Sequence, residues 1–148
     1  MATGSPRVIA AVLRRRALQL EREVREAERQ AGQRGLEIAR QLSGGSFSRA
    51  QLRAMGHPYA ARRPRPPADP AIVNRQTGRF QAAWKLQGPR KTAKGLVTKL
   101  VNNAPQAGAL DRGTARMIAR PIRVKLLALL ALERRRLHDR AVRTALKG

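Results

Sequence analysis

Ile9, Leu13, Ala17, Leu20, Val24, Ala27 and Ala31 recur at intervals of three and four residues near the start of the chain. That spacing keeps one side of an α-helix apolar over many turns. It lies close to the seam of a coiled coil, so the stripe requires an apolar cover along its length. Ser5-Pro6 marks the start of the helix, with Ser as N-cap and Pro at the first helical position. Gly32 and Gly35 weaken it. Leu36, Ile38, Ala39 and Leu42 either continue it or form a short second piece, and Gly44-Gly45 ends it. Two covers satisfy the stripe. One is the rest of the same domain, as for an ordinary core helix. The other is a neighbouring subunit, with the helix as an arm.

A chain of 148 residues fits one domain with one core. Alanine and leucine supply most of its apolar content, and the aromatic residues are Phe47, Tyr59, Phe80 and Trp84 alone. Such a core is thin unless helices pack closely or neighbouring subunits complete it. The net charge is +23, which means strong self-repulsion at low salt. An acidic partner, a polyanion or an assembly of complementary charge relieves that repulsion. The charge is unevenly spread. Nine Arg face five Glu in residues 1–43, whereas residues 44–110 hold twelve basic side chains and a single acid, Asp69.

These shifts divide the chain into an amphipathic N-terminal helix or arm at 1–43 and an α+β domain at 44–148. Within the second part, Ser48-Arg49-Ala50-Gln51 has the form of a capping box and opens a turn or two of helix. The segment 56–70 is a projecting Pro-rich loop, because Pro64, Pro66, Pro67 and Pro70 forbid helix. Ala71-Ile72-Val73-Asn74 is a short strand candidate. Phe80 and Trp84 lie four apart and share a face if helical, though an alternating strand also fits. Trp84-Lys85-Leu86-Gln87 starts a strand, Gly88-Pro89-Arg90-Lys91 reads as a hairpin-type turn, and residues 95–102 form the second strand. Pro121 sets the start of a last helix over 121–146. Ile122, Leu126, Leu130, Leu137 and Ala141 line its inner face against the sheet. The expected fold is α+β: a long N-terminal helix and a C-terminal helix packed on an antiparallel sheet of three or four strands.

Catalysis finds no foothold. There is no cysteine, and His57 and His138 lack metal-ligand spacing. No Gly-rich run precedes Lys-Ser or Lys-Thr, so no phosphate loop is present. Five of the nine acids lie on the first helix, and Asp69, Asp111, Glu133 and Asp139 form no recognisable metal-binding set. We therefore expect a non-enzyme with no cofactor, no metal and no small-molecule substrate. The longest strongly apolar run, residues 126–132, is far shorter than the ~20 residues of a membrane span. The N-terminal segment is broken by Arg14, Arg15 and Arg16 and does not read as a secretory signal.

Four short motifs occur in order. They are Thr77-Gly78-Arg79-Phe80 ahead of Trp84, the strands around 85–102, Ala107 with Leu110, Asp111, Gly113 and Thr114, and Arg120-Pro121-Ile122. In this order they resemble the tail-completion and head–tail joining (neck) proteins of long-tailed double-stranded DNA bacteriophages. Gln106, Asp111 and Ile122 stand where that family more often carries Tyr, Glu and Phe. The resemblance covers roughly residues 44–146, judged by motif order. It implies a structural virion protein made in the host cytoplasm. Such a protein joins portal-connector to tail-tube proteins as a homo-oligomeric ring of six or twelve copies, with genome DNA as a further contact. Leu13 and Leu20 are candidates for subunit contact. Arg63, Arg65, Arg134, Arg135 and Arg136 are candidates for contact with acidic partners, although a basic helix end is also commonly just solvated and suited to the helix dipole. The alternative reading is a basic nucleic-acid-binding protein, DNA-compacting or ribosome-associated.

Overall fold

The computed structural model describes residues 5–45, 50, 54, 78–114 and 119–147. Helix α1 spans Pro6–Leu42, a short α2 spans Arg79–Ala82, and strands β1 (Trp84–Thr92) and β2 (Gly95–Asn102) follow. Helix α3 covers Ala107–Arg112 and helix α4 covers Ile122–Lys147. The fold is α+β, with the two long helices and a small antiparallel sheet. Among the described residues the sheet has two strands, where three or four were expected. The strand candidate at 71–74, the loop at 56–70 and, apart from Ala50, the capping box at 48–51 lie outside the described residues.

α1 is one continuous helix of 37 residues, roughly 55 Å long. Pro6 occupies the first turn, and the Ser5 carbonyl accepts from the amides of Val8 and Ile9 at 2.9 and 3.2 Å. The Ser5 side chain makes no capping bond. Gly32 and Gly35 do not break the helix because each is a packing position. A Cβ on Gly32 would sit 2.8 Å from Leu86 Cδ1 and from Thr98 Cγ2, and one on Gly35 would sit 2.6 Å from Leu100 Cδ1. The sheet lies directly on this stretch of helix, and only glycine admits it so closely.

α4 packs antiparallel on α1. Ile122 and Leu126 meet Ile38, Ala39 and Leu42, a Cβ on Gly35 would lie 3.1 Å from Leu130 Cδ2, and Arg134 meets Glu28. Many of the buried residues along this seam are small: Ala27, Ala31, Gly35 and Ala39 on α1, and Ala141 and Ala145 on α4. Small side chains let helix axes approach toward the lower end of the usual ~8–10 Å range. That is how an alanine-rich chain with four aromatics builds a core. The expected face of α4 is the one that turns inward, but it turns to α1 and not to the sheet. A groove is left between α4 and the sheet as a result.

The hairpin turn also lies elsewhere than expected. β1 runs through Gly88-Pro89 as an irregularity between Gln87 and Arg90, and the reversal comes at Ala93-Lys94. Pro89 has no amide to give to a ladder, so it is tolerated where pairing is interrupted. Thr92 fixes the true turn: its Oγ1 donates to Gly95 O at 2.8 Å and accepts from the Lys94 amide at 3.3 Å.

The larger side chains of the core gather where α1 ends. Ile38, Ala39, Leu42, Phe80, Ala104, Ile122 and Leu126 are buried together, with Trp84, Leu100 and Leu110 packed against them. Asn102 ties this region: its Nδ2 donates to Phe80 O and its Oδ1 accepts from the Ala104 amide, both at 2.9 Å.

Candidate assembly surfaces

The stripe that buries Ala27, Ala31 and Ile38 continues toward the N-terminus, but its cover does not. Every residue from Ser5 to Leu18 is exposed. The first thirteen residues of the helix therefore form a bare arm of roughly 20 Å. Val8, Ile9, Val12 and Leu13 are exposed on it, Leu13 to 62%. Leu20 is 38% exposed, at the edge of the covered region. Of the two expected contact positions, Leu13 stands on the bare arm and Leu20 at its border.

α4 carries a second bare face. Val124, Leu127, Leu129 and Leu132 are exposed although the segment is apolar on nearly all sides. A helix apolar all round is normally buried all round. Beside this face runs the groove, about 930 Å³, walled by Trp84, Leu96, Leu100, Ala107, Leu126 and Leu130. Its lining is mainly apolar, with Asp111 on the wall, 3.9 Å from Arg123.

The five arginine candidates separate. Arg63 and Arg65 lie outside the described residues, as does Thr77. Arg134 is engaged inside the molecule. Its Nε and Nη2 donate to Oε1 of Glu28, at 2.9 and 2.5 Å. Glu28 is only 4% exposed, so this pair neutralises a carboxylate placed on the helix seam. His138 Nε2 lies 2.8 Å from the same oxygen, off the line a hydrogen bond needs. Arg135 and Arg136 remain exposed, Arg136 at 3.8 Å from Glu133.

The described motif residues take different places in the fold. Gly78 precedes α2 with φ of 75°, and Gly113 ends α3 with φ of 78°, both in the left-handed region. Phe80 is buried, with the Trp84 ring edge-on at a centroid distance of 6.1 Å. Thr114 is exposed. Arg120 is 6% exposed, and burial pushes its guanidinium below its ordinary pKa. Its amide donates to Leu110 O at 2.6 Å, and its Nη1 is buried without an acceptor. Pro121 follows, and its carbonyl accepts from Lys125 at 3.3 Å in the first turn of α4.

Sequence reasoning missed Glu28, because charge alone in a mixed-sign helix does not mark which of five glutamates turns inward. Its position beside Ala27 and Ala31 on the stripe was the available signal. No cluster of His, Cys, Asp and Glu that could hold a metal occurs among the described residues, and none of their helices is long and apolar enough to cross a membrane. The chain matches no protein-family model, no curated protein and no solved structure.

Proposed function

We propose that this chain is a structural subunit of a phage neck, which joins the portal-connector complex to the tail as a ring of identical copies. The observation that carries the reading is the bare arm: an apolar stripe that is buried over half of one helix and uncovered over the rest. Exposed apolar patches of this extent mark contact sites. The arm of one copy fits the groove of the next. The stripe supplies aliphatic side chains, the groove supplies a mainly apolar lining, and Asp111 stands on its wall to meet Arg14, Arg15 or Arg16. Such a contact is head-to-tail, so it closes into a ring when the rotation per copy allows. The mechanism is complementarity of shape and charge. The order of the motifs from Thr77-Gly78 to Arg120-Pro121 supports the neck assignment within the wider class of ring-forming proteins.

Light scattering after size exclusion tests the assembly. Copies carrying +23 each repel one another, so oligomers should grow with added salt. The double substitution Ile9→Asp/Leu13→Asp should return the protein to a single folded copy. A wild-type chain that stays monomeric at high salt and at high concentration removes the ring. Absence of the protein from purified virions removes the neck.

A further inference from the structure

The face of the hairpin turned away from α1 is a file of cations. Leu86, Thr98 and Leu100 point to the glycines of α1, so their neighbours in β1 and β2 point outward. The outward set is Lys85, Gln87, Arg90 and Lys99, with Val97 and Val101 half-buried between them. The register places Lys85 opposite Val101, Gln87 opposite Lys99 and Arg90 opposite Val97. Lys99 is therefore the diagonal neighbour of both Lys85 and Arg90, with diagonal spacings of roughly 7–8 Å. Lys94 extends the file at the exposed turn. Residues 84–102 contain no acid. Lys91, on the inner face, is the hairpin cation that pairs with a carboxylate, that of Glu21 at 3.0 Å. Among the described residues the four outer cations have no acidic partner.

We propose that this ribbon face binds the phosphate backbone of double-stranded nucleic acid. Three observations favour that occupant. First, the face exposes no large apolar side chain, and a protein partner is normally held by buried apolar or aromatic anchors with lysine depleted. Lysine, arginine and glutamine are instead the side chains that bind phosphate. Second, the one aromatic of the hairpin, Trp84, packs inward on Phe80, so no platform is offered to unstacked bases of a single strand. Third, a two-stranded ribbon is narrow enough to enter a major groove about 12 Å wide. The two long helices lack this purity: α4 carries Glu133 and Asp139 among its arginines, and α1 carries five glutamates. The inference does not rest on the ring or on the neck.

Fluorescence anisotropy of a labelled mixed-sequence duplex, titrated with the full chain across a salt series, tests it. Neutralising Lys85, Arg90, Lys94 and Lys99 to Gln should lower the slope of log affinity against log salt by about 3–4, since each phosphate contact contributes ~0.9. A matched variant with Arg135, Arg136, Arg140 and Arg143 changed to Gln removes the same charge from α4 and should retain most of the slope. Lys99→Glu alone, at the middle of the file, repeats the test with one substitution. Circular dichroism and melting confirm that each variant is folded. Equal losses from both quartets mean that net charge alone binds, and overturn the proposal. So does a wild-type chain without duplex affinity at low salt. So does a hairpin quartet that loses polyglutamate binding while keeping the duplex, which would make the face a site for acidic protein.

Discussion

The indole Nε1 of Trp84 donates to the hydroxyl of Ser43 at 2.8 Å, and that hydroxyl donates in turn to Ala39 O at 2.7 Å. The relay joins the start of β1 to the last turn of α1, where Ala39 O also accepts from the Ser43 amide at 3.1 Å. Gln81 adds to it by donating to Arg40 O at 2.9 Å. The end of the long helix is thus capped by side chains from the α2–β1 corner.

Trp84→Phe keeps the ring contact with Phe80 but removes the donor to Ser43. The loss should be about 1–2 kcal/mol, from one partly buried hydrogen bond and some lost ring area. Thermal melting followed by circular dichroism measures it, and an unchanged midpoint would show that the relay contributes nothing.

Gly35→Ala and Gly108→Ala should move stability in opposite directions. Each gains up to ~1 kcal/mol of helix propensity. The new methyl at 35 must displace Leu100 and Leu130, and overpacking of this kind costs roughly 1–3 kcal/mol. At 108 it meets only the flexible end of Arg112. Urea midpoints of the two variants give the comparison.

Arg134→Met removes both hydrogen bonds to the buried Glu28 carboxylate and leaves His138 as its one polar neighbour among the described residues. The expected loss is on the order of 2–3 kcal/mol, below the full value for a buried pair because Arg134 is itself half exposed. Glu28→Leu combined with Arg134→Met should recover most of it. A double-mutant cycle by chemical denaturation gives the coupling, and additive losses would deny the pair its role.

Lys91 holds the Glu21 carboxyl below the ordinary glutamate range, first through its hydrogen bond and then through its charge. A depressed carboxyl pKa contributes stability above the unfolded-state value. That contribution fades as pH falls through the folded-state value. The pair is exposed, so the effect is small. Lys91→Met should lower the melting midpoint slightly near neutral pH, and the difference should close as pH falls, so that the acid limb becomes shallower.

Deleting residues 1–18 should leave the melting midpoint nearly unchanged, because no described side chain there is buried. The same deletion should abolish concentration-dependent assembly in light scattering. A large drop in stability would place the arm in the monomer's own core.

The elements were legible where local chemistry speaks alone. Ser5-Pro6 marked a helix start, the period of the apolar stripe marked the helix, and Trp84 and residues 95–102 marked strands. What could not be read were choices made by a neighbour in space. Gly32 and Gly35 look like helix breakers until Leu86 and Leu100 are seen against them. Gly88-Pro89 has the chemistry of a turn, yet the ladder passes through it because the tighter reversal at Ala93-Lys94 is fixed by Thr92. Arg134 reads as one of three equivalent surface arginines, and only packing assigns it to Glu28. The exposure of Leu13 was one of two outcomes the stripe allowed, since the length of α4 decides where the cover stops.

The arm and the seam are one unbroken rod. A hold on Ile9 or Leu13 therefore acts through a stiff lever whose fulcrum is the stretch where Gly32 and Gly35 meet the hairpin. Rotation of the outer turns must be felt at the Glu28 pair and at the sheet resting on those glycines. Contact made at one end of the molecule would thus register at the other without any hinge between them.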